Sequence, residues 1–246
     1  MLHRAWKAGD LGRAWRRLRQ SGWKGTLAHA QRRLRHRLFV TPADQRFDTR
    51  MPMSTGRQHD LSELTVASGN LALGSSYEAT PAAFLALLLK SLPSSLNGSV
   101  FVDFGSGKGR VLLLAAKGPF KQLVGVEFAE ELHRAAVANV AHAGLENRIS
   151  LVLGDAAEFE IPEEPCVLYF YNPFERPVLE RVVENIRRSY ERNRRPLYVV
   201  YYNPRHAEVF EGARFLSHRP MRLLERLRHR LLDIAEVRTY ATAEAR

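Results

Sequence analysis

The sequence predicts an α/β fold of the doubly wound kind, in which a mainly parallel sheet carries helices on both faces. From about residue 75, short apolar runs alternate with helical patterns, and strand–helix repetition is the signature of such a sheet. The runs "SVFVDF", "QLVGVEF", "ISLVLGD", "CVLYFY" and "PLYVVYY" lack the alternation of half-exposed strands, so we expect both of their faces to be buried. A length of 246 residues suits one such domain with an appendage.

The segments between these runs have helical signals. "TPAAFLALLLKSL" predicts a helix with Thr80 as the N-cap and Pro81 at the first helical position. Further helices are expected at about residues 109–117, 129–144 and 177–192, and the segment after the fifth strand predicts a short helix and one or two more strands. Because ligands of doubly wound sheets bind at the carboxyl ends of the strands, we expect the functional residues there.

The charge of the chain is concentrated near its start. Residues 1–50 carry 13 Lys and Arg against 3 Asp and Glu, whereas residues 51–246 carry 24 against 23. We predict a basic helical extension over residues 1–50 with amphipathic helices at 3–20 and 23–38, a linker over 51–74, and the main domain over 75–246. A linker-like composition, with two prolines and many polar residues, already begins at about residue 40 and continues to about residue 60. The arm suits an acidic protein, nucleic acid or an anionic membrane surface as partner.

Composition narrows the class of protein further. The single cysteine, Cys166, excludes a disulfide framework, and the nine histidines form no metal-binding pattern, so no metal is expected. No apolar run reaches the roughly 18 residues that a membrane span needs. We therefore expect a cytoplasmic location, and the basic arm leaves peripheral attachment to a membrane open.

The loop after the first strand, in "VFVDFGSGKGRVLLLAA", has three glycines in five positions. The dinucleotide fingerprint would need a glycine where Arg110 stands, and the phosphate loop would need Ser or Thr after Lys108, where Gly109 stands. What remains is D-x-G-x-G-x-G, formed by Asp103, Gly105, Gly107 and Gly109, with Ser106 inside the loop.

This pattern resembles motif I of the class I S-adenosylmethionine-dependent methyltransferases, which implies a Rossmann-like seven-strand sheet. S-adenosylmethionine would be the cofactor and S-adenosylhomocysteine the product. In that family the glycine loop passes beside the methionine and ribose moieties. The resemblance implies that Glu127, at the end of "VGVEF", accepts hydrogen bonds from both ribose hydroxyls, and that Asp155 and the Ala156 amide bind the adenine.

The fourth strand ends in "YFYNPF", which resembles motif IV of methyltransferases that act on nitrogen. The resemblance implies that Asn172, Pro173 and Phe174 lie beside the cofactor, that the amide orients the acceptor NH2 without protonating it, and that the ring packs on the acceptor. DNA adenine and protein glutamine enzymes have a second proline here, and this chain does not. Five aromatic residues near the strand ends could line an acceptor channel: Tyr169, Tyr171, Phe174, Tyr201 and Tyr202.

A second resemblance concerns "YEATP", residues 77–81. Histone-lysine methyltransferases of the Dot1 type carry Tyr-x-x-Thr before their glycine loop, where it folds over the cofactor and shapes the lysine channel. Tyr77 and Thr80 match it. Together these resemblances predict N-methylation of a protein lysine or similar amine. A nucleic-acid base or small-molecule methyltransferase, and a cofactor-binding adaptor without activity, remain alternatives.

Overall fold

A computed structural model describes residues 41–51, 79–220 and 236–245 of the chain. Its centre is a seven-stranded sheet with the order β3-β2-β1-β4-β5-β7-β6. The strands are β1 Val100–Phe104, β2 Gln122–Glu127, β3 Ile149–Leu153, β4 Cys166–Tyr171, β5 Leu197–Tyr202, β6 Ser217–His218 and β7 Val237–Ala241. Strands β1 to β5 pair in parallel, and β7 runs antiparallel to both β5 and β6. The predicted fold class is confirmed.

Helices cover both faces of this sheet. They are α1 Thr41–Asp48, α2 Ala82–Ser91, α3 Arg110–Ala115, α4 Glu130–His142, α5 Arg176–Arg192 and α6 Ala207–Glu211, with short 3-10 turns at Ser94–Leu96 and Ala243–Ala245. Side chains of α5 pack with Phe104 and Phe170 in one buried cluster. Side chains of α2 and α3 pack with Phe101 and Val200 in a second cluster. Strands β1, β2, β4 and β5 are therefore largely buried on both faces, as their continuous apolar sequences predicted. The same prediction is wrong for β3, which lies at the edge of the sheet and has exposed residues at Ser150 and Leu153.

The predicted N-cap of α2 is wrong. The helix begins at Ala82 and Pro81 occupies the N-cap position. Pro81 makes no side-chain hydrogen bond that would cap the helix. The hydroxyl of Thr80 instead lies 3.0 Å from the hydroxyl of the buried Tyr169, which would otherwise lack a polar partner in the core. The Ala82 N–H is capped from a distant part of the chain, by Asp44 Oδ1 at 2.8 Å.

The linker predicted over about residues 40–60 is also wrong for its first part, because residues 41–48 form α1. Tertiary contacts favour the helix: Phe47 and Met51 pack against the core, and two aspartates of α1 pair with a buried arginine. The arm helices predicted at 3–20 and 23–38, and Tyr77, lie outside the described residues. Across the described ranges, no helix has the length and apolar character needed to cross a bilayer.

Candidate active site

The carboxyl ends of four parallel strands meet at one edge of the sheet. Phe104 of β1 pairs with both Val126 of β2 and Phe170 of β4, so the loop after β1 lies where the strand order reverses. Ligands of open α/β sheets bind at this switch point. The Gly154 N–H donates to the Glu127 carbonyl at 2.9 Å, which brings the ends of β3 and β2 together. The predicted cofactor residues on β1, β2 and β3 therefore share one edge.

The glycine loop has a backbone conformation that residues with a side chain adopt poorly. Gly105, Gly107 and Gly109 have φ values of 77°, 53° and 78°, in the left-handed region that glycine adopts without a steric penalty. A Cβ atom at Gly105 would lie only 2.6 Å from Pro173 Cβ. The loop thus rests directly on the residue after Asn172, and the two predicted motifs are in contact across the switch point.

The Glu127 carboxylate lies inside this loop and is 3% exposed. Its Oε2 accepts the Gly107 N–H at 2.8 Å, and its Oε1 accepts the N–H groups of Phe128 and Ala129 at 3.0 and 2.9 Å. Burial raises its pKa, and the three backbone donors partly oppose that rise. A carboxylate has about four acceptor directions, so one, on Oε2, remains for a ligand hydroxyl. The predicted contact with both ribose hydroxyls would require one backbone donor to move.

Two buried polar atoms beside Glu127 find no hydrogen-bond partner in the described part of the chain, Asp103 Oδ2 and Ser106 Oγ. Burial, and secondarily the Glu127 carboxylate, holds the pKa of Asp103 well above its ordinary value. Buried polar atoms of folded proteins normally have partners. Two orphaned acceptors and a glycine backbone cradle fit a polar ligand with hydrogen-bond donors, such as the amino and ribose groups of S-adenosylmethionine.

The predicted adenine residues follow β3. Asp155 Oδ1 accepts the Ala157 N–H at 2.9 Å, which closes a local turn, and its Oδ2 lies 3.7 Å from Arg181 Nη2. Ala156 is buried. Asp155 therefore lies at the expected edge, but one of its oxygens is used by its own turn, and the adenine contact stays a prediction.

The corner after β4 holds its amide in a fixed orientation. Asn172 has a φ of 43° and is buried, and its Oδ1 accepts the Tyr201 hydroxyl at 3.1 Å. Asparagine is among the few residues other than glycine that adopt this left-handed conformation readily. Asn203, after β5, forms a similar corner with a φ of 51°. The sequence indicated the corner at Asn172 but not its hydrogen bond with Tyr201, which joins residues 29 positions apart.

The aromatic residues predicted to line an acceptor channel pack mainly in the core. Phe174, Tyr169, Tyr201 and Tyr202 are buried, and Tyr202 stacks on Phe84 with centroids 4.2 Å apart. Tyr171 is partly exposed. Their role as a channel stays a prediction, and Tyr171 is the member of this set whose ring is accessible from the surface.

Arg110 is a residue of this site that the sequence did not predict, since its position indicated only that the dinucleotide fingerprint is broken. Its guanidinium pairs with Asp44 at 2.6 Å and with Asp48 at 2.7 Å, and its Nε donates to the Thr80 carbonyl at 2.8 Å. The Phe47 ring lies 4.9 Å from its Cζ. This residue directly follows the glycine loop, so α1 is joined to the loop and to the Thr80 segment. The Thr-Pro-Ala-Asp start of α1 was a helix signal, but nothing local indicated its partner.

Comparison with known proteins agrees with this architecture. Residues 101–193 match the family described as "Methyltransferase domain". The "Protein-lysine N-methyltransferase" of Saccharolobus islandicus (strain REY15A) is 34% identical over 110 residues, which cover 43% of this chain and 68% of that protein. "Nocamycin O-methyltransferase" of Saccharothrix syringae is 37% identical over 91 residues, or 35% of this chain and 32% of that protein. Among solved structures, mitomycin 7-O-methyltransferase MmcR has a TM-score of 0.47 at 14% identity, covering 65% of this chain and 52% of that one.

The chain belongs to the class I S-adenosylmethionine-dependent methyltransferases. It is therefore a transferase, the predicted enzyme class is confirmed, and a methyl acceptor is implied. The family uses S-adenosylmethionine as its methyl donor. In the described ranges, no three His, Cys, Asp or Glu side chains are grouped so that they could hold a metal ion.

Asp103→Asn is expected to stabilise the ligand-free protein at about pH 8 by about 1–3 kcal/mol. The raised pKa means that the folded state holds the Asp103 proton more tightly than the unfolded state does. Folding stability is therefore lost as the pH rises from the ordinary value of 3.8 through the folded pKa. The variant escapes that loss, so its advantage in free energy of unfolding should shrink toward about pH 4.

Urea unfolding of the variant and the wild type across this pH range measures the difference in stability. Glu160→Gln, an exposed charge removal, is the control, and an advantage that does not depend on pH would contradict the prediction.

Glu127→Gln is expected to weaken binding of S-adenosylhomocysteine by about 1.5–3 kcal/mol, the scale for hydrogen bonds to a charged group. Because glutamine has one acceptor oxygen, the variant also loses the acceptor for either the Gly107 N–H or the N–H groups of Phe128 and Ala129, so affinity alone cannot separate ribose binding from loop support. A double-mutant cycle does, with a 2′,3′-dideoxy analogue as the second change. Calorimetry should show the analogue losing affinity with the wild type but losing little more with the variant. Additive losses would leave Glu127 as a loop-supporting residue only.

Proposed function

We propose that this methyltransferase transfers the methyl group to nitrogen, and that its acceptor is a protein lysine or a similar amine. The observation that carries the proposal is the Asn172 corner at the switch point, where a buried amide is held by Tyr201 and its Pro173 neighbour packs on the glycine loop. A neutral amide oxygen accepts a hydrogen bond from an amine without protonating it, so the nitrogen lone pair remains available.

The residues of this chain would divide the work in two. The glycine loop, Asp103 and Glu127 would hold the cofactor, whose sulfonium supplies an activated methyl group. Asn172 Oδ1 already accepts the Tyr201 hydroxyl, and the second acceptor direction of that oxygen would take the N–H of the incoming amine. Positioning of this kind and exclusion of water supply most of the catalysis in such a transfer.

Two features favour lysine among amines. The relative named as a protein-lysine N-methyltransferase shares 34% identity over 110 residues. Tyr169 and Phe174, close to Asn172 in the sequence, are also buried, and we expect their rings to border the acceptor site. An apolar surrounding lowers the pKa of an ammonium group, and a lysine must lose its proton before it can attack. Thr80, bonded to Tyr169, lies in the segment that resembles the lysine-channel loop.

The test identifies the atom that receives the methyl group. The full chain is incubated with methyl-labelled S-adenosylmethionine and a cell extract, and the products are separated into protein hydrolysate, nucleosides and small molecules. We expect the label in ε-N-methylated lysine, and we expect prior acetylation of the extract's lysines to abolish it. Label in nucleosides or in extractable small molecules would overturn the lysine assignment. Because one relative is named as an O-methyltransferase, the small-molecule fraction is the more important of these two alternatives to measure.

A further inference from the structure

A groove lies among the helices that pack on one face of the sheet, in the layer that contains α2 and α3. It has a volume of about 580 Å³ and is formed by α1, α2 and the end of α3. Its floor is apolar, with Phe47, Ala82, Ala86, Leu89 and Leu114 among the lining residues. Since Ala82 and Ala86 are one helical turn apart on α2, their small side chains leave a shallow trough along about 6 Å of that helix.

The rim of this groove is basic. Four exposed cations surround the floor: Arg46 from α1, Arg50 just after α1, Lys90 from α2, and Lys117 after α3. Among the described residues, no Asp or Glu lines the groove. In the described part of the chain, none of the four lies within ion-pairing distance of a carboxylate.

Several exposed arginines elsewhere on the described surface are paired with carboxylates, although Arg192 and Arg214, for example, are not. On α5, Arg187 pairs with Glu184 at 2.7 Å and with Glu191 at 2.5 Å, and Arg176 pairs with Glu180 at 2.8 Å. On α4, Arg134 pairs with Glu130 at 3.2 Å. Four unpaired cations around one apolar floor therefore form a surface with a strong excess of positive charge, and a partner that fits it carries acids beside apolar groups.

The arrangement distinguishes between classes of partner. Duplex nucleic acid supplies phosphates but has no apolar group to fill the floor. A bilayer surface is flat, whereas the apolar residues here lie at the bottom of a trough. A small amphiphile with one head group would need cations at one end, but these cations come from three different elements. An amphipathic helix with acids on both sides of its apolar face meets all three conditions, since such helices bind in grooves through residues at i, i+3, i+4 and i+7.

We propose that this basic groove (the groove lined by Arg46, Arg50, Lys90 and Lys117) binds an acidic amphipathic helix of a partner protein. If the proposed function holds, on which this step rests, that partner is the methyl-acceptor protein. Helix α2 connects the two places: its first residue follows Thr80 by two positions, and its Ala82 N–H is bonded to Asp44 beside Arg110. A protein held along α2 is thus anchored next to the catalytic edge while leaving that edge open.

The experiment uses the full chain and a labelled helical peptide of about 14 residues, with leucines at i, i+3, i+4 and i+7 spacing and glutamates on the flanking positions. A second peptide has glutamine in place of every glutamate. By fluorescence anisotropy at low salt, we expect the acidic peptide to bind at least about tenfold more tightly than the glutamine peptide, and this difference to shrink as salt is added. Equal binding of the two peptides would overturn the proposal.

Variants locate the binding on the chain. The double variant Arg46→Glu and Lys90→Glu should weaken binding of the acidic peptide about tenfold or more, and Ala86→Trp, which fills the floor without changing charge, should weaken it too. The double variant Arg192→Glu and Arg214→Glu changes the net charge equally at exposed positions outside the groove and should leave binding within about twofold. Equal losses in the two double variants would mean a net-charge effect and would overturn the site.

Two further arms separate this proposal from its alternatives. Binding of anionic phospholipid vesicles and of an RNA duplex is measured with the same variants. The proposal fails if the groove substitutions weaken binding of the vesicles or the RNA but leave binding of the peptide unchanged. A peptide carrying an acceptor lysine beyond the acidic helix should show a raised KM and an unchanged kcat with the groove variant. Tight peptide binding without methylation of any lysine would overturn the proposed function and not the groove.

Discussion

Arg110→Met is expected to lower the free energy of unfolding by about 3 kcal/mol, the largest effect on stability that we expect from a single polar residue of this chain. The guanidinium is 3% exposed and pairs with Asp44 and Asp48, whose side chains are 22% and 24% exposed. Removing it leaves two partly buried carboxylates without their cation and the Thr80 carbonyl without its donor. We place the cost at the lower end of the range for broken buried pairs because water reaches both carboxylates.

Urea unfolding of the full chain measures this effect, and two comparisons interpret it. Asp44→Asn should cost about 1–2 kcal/mol, since the amide keeps an oxygen for the Ala82 N–H but loses the charge that pairs with the buried Arg110 guanidinium. The double variant should be less destabilised than the sum of the two changes, because each single change already breaks the same pair. Arg187→Met is the control on the exposed face of α5 and should cost less than about 0.5 kcal/mol. An Arg110→Met protein as stable as the wild type would contradict the role of α1 as part of the domain.

Asn172→Gly is expected to reduce the methyl-transfer rate about 100-fold, while binding of S-adenosylmethionine changes by no more than about twofold. Glycine is the informative replacement because Asn172 has a φ of 43°, and alanine would add backbone strain to the loss of the amide. The physical reason for the loss is positional: without the amide oxygen, the acceptor nitrogen is no longer held in line with the methyl group. Single-turnover rates and calorimetry on the same samples check both parts.

The chain offers a matched control for this change. Asn203 also precedes a proline at a strand end and has a φ of 51°, so Asn203→Gly makes the same chemical change at the next corner and should leave the rate within about threefold. Tyr201→Phe removes the hydroxyl that holds the Asn172 amide and should cost about tenfold. Because burial raises the pKa of Tyr201, that hydroxyl keeps its proton at neutral pH. If rate and cofactor affinity fall together in Asn172→Gly, its role is structural.

Much of the fold and part of the site could be predicted from short stretches of sequence. The parallel strands β1, β2, β4 and β5 are continuous apolar runs because both of their faces are largely buried, and that requirement is visible in each run separately. The edge strand β3 has an apolar run too but is only partly buried. The glycines of the loop after β1 are needed because three successive odd positions have positive φ. Glu127 and Asp155 lie at one edge because each follows a strand of the same parallel sheet, and the carboxyl ends of such strands coincide.

Other features depended on partners distant in the chain, and no local pattern could indicate which residues those partners are. Thr80 looked like an N-cap, but a buried tyrosine hydroxyl 89 positions away provides a better-placed partner. Residues 41–48 looked like a linker because their apolar content is low, but a buried arginine more than 60 positions away stabilises them as a helix. The basic groove likewise exists only after α1, α2 and α3 have packed together. Local sequence reports backbone preference and burial, whereas the pairing of polar groups in the core is decided by which of them the packed sheet brings within hydrogen-bonding distance.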